Sequence, residues 1–81
     1  MNDTLGWVYY QKQLYGQAIL YLQQSLDIEP NNPAYHFHLG MAYARKGDDA
    51  KARKLLERVL KIDPQFPDAP QVRKALASLV Y

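Results

Sequence analysis

Cysteine and long apolar runs are both missing from this 81-residue chain, and each absence removes a class of protein. Without cysteine there is no disulfide framework and no thiolate metal site, although this does not separate the cytosol from the periplasm. No stretch approaches the ~20 consecutive apolar residues of a membrane-spanning helix, so the composition excludes membrane spanning. What remains is one domain with 48% apolar and 22% charged residues, as in an ordinary globular chain.

Groups that could support catalysis are also missing. The serines, Ser25 and Ser78, have no neighbouring pattern of histidine and acid to activate them, and the four glycines are too scattered for a phosphate-binding loop. His36 and His38 would point about 200° apart on a helix, whereas a helical two-histidine site needs a spacing of three or four. We therefore expect no enzyme activity, no metal, no cofactor and no small-molecule substrate.

The chain does contain an internal repeat with a period of 34 residues. A repeat of this length, with Leu-Gly, then Tyr three residues later, then Ala and Pro, is typical of a helix-turn-helix solenoid. Nine matched pairs between residues 5 and 64 are hard to produce by chance. These pairs are Leu5/Leu39, Gly6/Gly40, Tyr9/Tyr43, Lys12/Lys46, Ala18/Ala52, Leu22/Leu56, Leu26/Leu60, Ile28/Ile62 and Pro30/Pro64.

Three segments carry a resemblance to the tetratricopeptide repeat family: residues 39–43 (LGMAY), 47–52 (GDDAKA) and 62–64 (IDP). Residues 33–66 resemble one complete repeat, residues 1–32 a repeat that lacks its first two positions, and residues 67–81 the helix that closes such arrays. The resemblance implies an all-α solenoid of two helical pairs plus a C-terminal closing helix, similar to the end of a bacterial-type array. Its structural repeat positions are Leu5, Gly6, Tyr9, Ala18, Pro30, Leu39, Gly40, Tyr43, Ala52 and Pro64.

Local signals predict where the helices of the second unit begin and end. Asn32-Pro33 is a strong helix start, because Asn accepts a hydrogen bond from a first-turn amide and Pro leaves no amide unsatisfied. Gly47 supplies the left-handed backbone that commonly ends a helix. Asp48 or Asp49 then caps the next helix, and Pro64 ends it.

Small residues recur at equivalent positions of the two repeats. Gly6 and Gly40 would each cost ~1 kcal/mol relative to Ala in a helix interior, so they need a packing reason. We expect the two helices of each pair to cross closely there, with Ala18 and Ala52 on the facing helices.

The first unit departs from the second at its turn and at its start. Gln13 stands where the second unit has Gly47, so this turn either holds a strained non-Gly residue or uses another geometry. Asn2 and Asp3 have to cap a shortened first helix. We expect a locally weaker hinge at the turn that contains Gln13.

Charge is uneven along the chain. Residues 1–44 carry one Lys against three acids, a net −2, and residues 45–81 carry nine Lys and Arg against five acids, a net +4. Because acids are interspersed and the whole chain is only +2, a solvated helix face is favoured over a nucleic-acid contact. The cations on one side of the fourth helix are Lys51, Lys54, Arg58 and Lys61.

The family resemblance also implies a groove for a protein or peptide, lined by the first helix of each repeat. Aromatic, Met and Arg residues are enriched where proteins bind. Some relatives bind a terminal carboxylate through Lys, Asn and Arg, but Asp3 and Trp7 stand at the corresponding places here, so a hydrophobic peptide or amphipathic helix fits better. The implied partner-binding residues are Asp3, Trp7, Tyr10, Gln11, Ala34, Phe37, His38, Met41, Ala44 and Arg45.

Two alternatives stay open at this stage. Trp7 and Phe37 could instead belong partly to the core between successive repeats. The chain could also be an assembly segment of a longer array, which self-associates as a homo-oligomer through an exposed face of its first helix that includes Leu5 and Val8.

Overall fold

The computed structural model of the chain describes the backbone of residues 2–79 and the side chains of residues 5–79. Within this range the chain forms five helices and no strand. The prediction of an all-α fold with five helices is therefore confirmed, whereas the division into units 1–32, 33–66 and 67–81 stays a prediction. The helices are α1 (Asn2–Gln11), α2 (Tyr15–Ile28), α3 (Pro33–Lys46), α4 (Asp49–Ile62) and α5 (Ala69–Ser78).

Each helix packs mainly against its neighbours along the chain, as in a solenoid. A first apolar cluster lies between α1, α2 and α3, and a second lies between α3, α4 and α5. Tyr43 contacts both clusters and joins them. The buried members are Ala18, Leu22, Leu26, Leu39 and Ala42 in the first cluster, and Phe37, Ala52, Leu56, Val59, Val72 and Leu79 in the second.

The predicted helix ends of the second unit are confirmed. The Asn32 side chain accepts hydrogen bonds from the two amides of the first turn of α3, at 2.9 and 3.3 Å. Of the two candidate caps, Asp48 is the one that caps α4. Its carboxylate accepts a hydrogen bond from the Lys51 amide at 3.3 Å. That helix ends at Ile62, just before Pro64. The Asn2 and Asp3 side chains lie outside the described residues, so their predicted capping role stays a prediction.

The turn between α1 and α2 has the same geometry as the turn between α3 and α4. Gly47 has a φ of 97° and Gln13, at the same repeat position, has a φ of 64°. In both turns the following amide donates to the carbonyl five residues back, at 2.9 Å. This is the bonding pattern that ends many helices with glycine. The first unit therefore keeps the glycine geometry and holds Gln13 in the left-handed region.

Replacing Gln13 by Gly should stabilise the protein, because the left-handed backbone disfavours any residue that has a Cβ. We expect Gln13→Gly to raise the free energy of unfolding by about 0.5–1 kcal/mol after the greater freedom of Gly in the unfolded chain is counted. The matched change Gly47→Ala should lower it by about 1 kcal/mol. Urea unfolding followed by circular dichroism measures both, and a destabilised Gln13→Gly protein would contradict the account.

The two repeated glycines lie where the helices of each pair cross, as predicted. A Cβ built on Gly6 would lie 2.7 Å from Leu22 Cγ, and one built on Gly40 would lie 2.9 Å from Leu56 Cγ. Both leucines are fully buried. Because the clash is with the branch point of a buried side chain, the glycines set how closely each pair of helices approaches.

A single methyl group at this crossing should therefore destabilise the fold. We expect Gly40→Ala to lower the free energy of unfolding by about 1–3 kcal/mol through overpacking. Gly16, also helical, has open space where its Cβ would be, so Gly16→Ala should be neutral or stabilising by up to about 1 kcal/mol. Thermal melts of the two variants would refute the packing argument if both substitutions shifted the midpoint in the same direction.

Candidate partner-binding surface

Three aromatic rings form a stack between α1 and α3. The Trp7 indole is nearly parallel to the Tyr10 ring at 4.5 Å and to the His38 ring at 4.2 Å between centroids. Two rings that close to one indole cannot lie side by side on the same face, so they cover opposite faces. The two faces of Trp7 are therefore covered by other rings, and its edge is the part that is left for other contacts. We call Tyr10, Trp7 and His38 the aromatic stack.

Phe37 lies beneath this surface. Its side chain is 3% exposed, and its ring packs 5.6 Å from that of Phe66, in the turn before α5. The alternative interpretation, that an aromatic residue of the predicted groove belongs to the core, therefore fits Phe37. Trp7, at 6.5 Å from Phe37, is only half-buried and remains at the surface.

Arg45 continues this surface beyond the aromatic stack. Its Nε donates a hydrogen bond to the Tyr10 hydroxyl at 3.2 Å, which links α3 to α1. That hydrogen bond raises the pKa of Arg45 above its ordinary value, and an arginine is already charged in any usable buffer. The side chain is otherwise exposed. Arg45 thus presents a fixed positive charge next to Tyr10.

An open depression of about 540 Å³ lies on the other side of Arg45, between α3 and α5. The family resemblance predicted its α3 residues but none of its α5 residues, because it implies only a closing role for the last helix. Their spacing of three and four residues was a usable signal, since it places them on one helix face. The depression is lined by Met41, Ala44 and Arg45 from α3, and by Gln71, Lys74, Ala75, Ser78 and Leu79 from α5 or its end.

The remaining predicted residues lie apart from these two features. Gln11 is exposed at the end of α1, and Ala34 is half-buried in the first turn of α3, but neither lines the depression. The Asp3 side chain lies outside the described residues. The structure thus brings together six of the predicted residues: Trp7, Tyr10, His38, Met41, Ala44 and Arg45. We call these, with the α5 residues of the depression, the groove side.

The two histidines have separate structural surroundings. His36 is buried, and its Nε2 lies 2.7 Å from the Pro30 carbonyl oxygen. A carbonyl only accepts, so Nε2 carries the proton and ties α3 to the turn before it. His38 instead stacks on Trp7. Among the described residues, no three His, Asp or Glu side chains are close enough together to hold a metal ion.

No helix in the described part of the chain combines the length and the apolar character needed to cross a membrane. The cations on the outer side of α4 are exposed to solvent, as expected. One of them, Lys51, has its Nζ 3.9 Å from the Asp48 carboxylate and 5.3 Å from the centre of the Tyr43 ring.

Comparison with known proteins identifies the family to which this helical architecture belongs. The family model described as tetratricopeptide repeat matches residues 9–79. The chain belongs to the tetratricopeptide repeat family. Proteins of this family typically act as noncatalytic protein-interaction scaffolds, and this chain shares their all-α helical repeat.

A short stretch of the chain is also similar to part of a much longer protein. Cellulose synthase operon protein C from Pseudomonas fluorescens (strain SBW25) is 43% identical to it over 47 residues. That match covers 58% of this chain and only 4% of the relative.

The different burial of Phe37 and Trp7 predicts different costs of truncation. We expect Phe37→Ala to lower the free energy of unfolding by about 3–5 kcal/mol, because it leaves a cavity in the second cluster. Trp7→Ala should cost less, about 1–2 kcal/mol, because its loss mainly removes ring contacts that are partly exposed. Urea unfolding of both variants measures the difference. A greater loss for Trp7→Ala would mean that Trp7 is the core residue.

Proposed function

We propose that this chain is a noncatalytic scaffold that binds a peptide or a partner helix along the groove side. The observation that carries the proposal is the 540 Å³ depression between α3 and α5, which begins where the aromatic stack ends. Pockets of this size with an apolar lining and a few polar groups are typical of ligand sites. The family's usual role in protein binding supports the same proposal.

The groove side divides into parts with different chemistry. The aromatic stack is a rigid wall, because each face of Trp7 is already packed against another ring. Met41 and Ala44 give the depression an apolar floor, and Arg45 stands between wall and depression. A surface that is already ordered loses little side-chain entropy on binding, which favours affinity.

Filling the depression should weaken peptide binding strongly. A random 12-residue peptide library displayed on phage is selected on the immobilised protein, and the best peptide is synthesised. Ser78→Trp places a bulky side chain into the depression from an exposed position, and we expect it to weaken binding about tenfold or more. Ala77→Trp, on an exposed part of the same helix outside the depression, is the matched control and should change affinity less than twofold.

Fluorescence anisotropy with the labelled peptide measures these affinities, and circular dichroism confirms that both variants fold. Equal effects of Ser78→Trp and Ala77→Trp would place the binding site elsewhere. Failure to select any peptide from the library would count against a peptide-binding groove altogether.

Self-association through α1 is the second candidate, and the internal repeat supplies the observation that favours it. Leu5 and Val8 are each 39% exposed. Their equivalents 34 residues later, Leu39 and Ala42, are 1% and 0% exposed, in the cluster with α2. The same helix face is thus covered in the second unit and open in the first, which leaves an apolar surface for a second copy.

The assembly hypothesis makes a separate prediction about mass. If the α1 face pairs with another copy, light scattering behind a sizing column will give a mass that rises with protein concentration, and Val8→Lys will return it to that of the monomer. Leu20→Lys, on an exposed apolar residue of α2, is the control and should leave the dimer intact. A monomeric wild-type protein at both low and high concentration would rule this function out.

A further inference from the structure

We propose that the depression between α3 and α5 selects peptides in which an Asp or Glu side chain stands next to an apolar side chain, with Arg45 and Lys74 pairing with the carboxylate. This inference rests on the proposed peptide-binding function and names the chemistry of the partner. The sequence favoured a hydrophobic partner, and the structure adds the charged requirement.

The first support is an imbalance of charge. Neither α3 nor α5 contains an Asp or a Glu, yet both helices present a cation to the depression. The outer side of the protein differs, because α4 and its cap carry acids between the cations, and Lys51 is paired with Asp48 at 3.9 Å. Arg45 and Lys74 thus lack an acid on their own helices. A carboxylate from a partner would supply the complementary charge.

The second support is the fixed position of the Arg45 guanidinium. Its Nε is held by the Tyr10 hydroxyl, and Tyr10 is in turn stacked on Trp7. That hydrogen bond uses Nε and neither of the two Nη nitrogens. A planar guanidinium presents such nitrogens to both oxygens of one carboxylate, which a lysine cannot do.

The third support is the apolar floor beside these charges. Met41, Ala44 and Ala75 are half-buried and Leu79 is buried, so the depression offers carbon atoms as well as its two cations. A peptide that fills the depression must therefore offer an apolar side chain as well as an acid. An ion pair that is partly removed from water by such contacts is stronger than one at a fully solvated surface.

The carboxylate comes from a side chain within the peptide and not from its C-terminus. Arg45 lies in the middle of the groove side, since it contacts Tyr10 of α1 on one side and lines the depression with α5 on the other. A peptide that pairs with Arg45 therefore has binding surface in both directions along its chain. A chain end at Arg45 would leave either the aromatic stack or the depression empty.

The selected phage peptides test this chemistry directly. We expect Asp or Glu beside Leu, Ile, Met or Phe to be enriched in them over the unselected library. The best sequence is then synthesised with blocked ends, together with a version in which the acid is replaced by its amide. The amide version should bind several-fold more weakly, and only the acidic peptide should lose affinity as salt is raised.

Protein variants locate the charge pair. Arg45→Gln and Lys74→Gln should each weaken the acidic peptide about two- to fivefold and weaken the amide version less. Lys54→Gln, on the exposed outer side of α4, is the matched control and should change neither. Tyr10→Phe keeps the ring stack but removes the hydroxyl that positions Arg45. It should weaken the acidic peptide about twofold, again with a smaller effect on the amide version.

Each contrary result has a distinct meaning. Selected peptides without enriched acids, or equal effects of Arg45→Gln and Lys54→Gln, would overturn the inference, while sensitivity to Ser78→Trp would leave the proposed function standing. Binding that needs a free C-terminus would overturn the side-chain source of the carboxylate. Selection of no peptide at all would overturn both proposals.

Discussion

The close approach of a glycine and a leucine inside each helical pair is the constraint on which the rest of the structure depends. Gly6 meets Leu22 and Gly40 meets Leu56, with no room for even one methyl group at either crossing. Each pair therefore has one tight geometry, and α3 packs on α2 while α5 packs on α4. That stacking brings α1 and α3 side by side, so that Trp7 reaches His38 and Tyr10 reaches Arg45.

The groove side combines the aromatic stack, whose side chains have little conformational freedom, with the open depression. Trp7 is held in place because another ring covers each of its two faces. Tyr10 is one of these rings, and its hydroxyl in turn holds the Arg45 side chain through a hydrogen bond. The depression derives its charge from helices that carry cations and no acids. In the proposed function, apolar contact would supply affinity and the placed charge would supply discrimination among peptides.

The sequence predicted most of the fold because its determinants are local or repeated. The Asn32 cap, the left-handed Gly47 and the tight glycine crossings each follow from a few neighbouring residues or from the period of 34. The candidate site was harder to predict from the sequence, because it depends on packing between segments that are distant along the chain. Burial of Phe37 requires Phe66 from a later turn, and the contribution of Lys74 requires the rotation of α5 against α4. Helical spacing puts Lys74 on one face with its neighbours in the depression, but it does not show which helix that face meets or which residue covers Phe37.

A double-mutant cycle between Gly40 and Leu56 tests the central constraint most directly. Trimethylamine N-oxide keeps all four proteins folded, and their free energies of unfolding are compared by urea titration. If the leucine is what forbids a methyl group at Gly40, then Gly40→Ala will be destabilising in the wild-type protein but neutral or stabilising in the Leu56→Ala protein, a coupling of about 1–3 kcal/mol. An equal cost of Gly40→Ala in both backgrounds would contradict the account, because the small residue would then serve some purpose other than the close crossing.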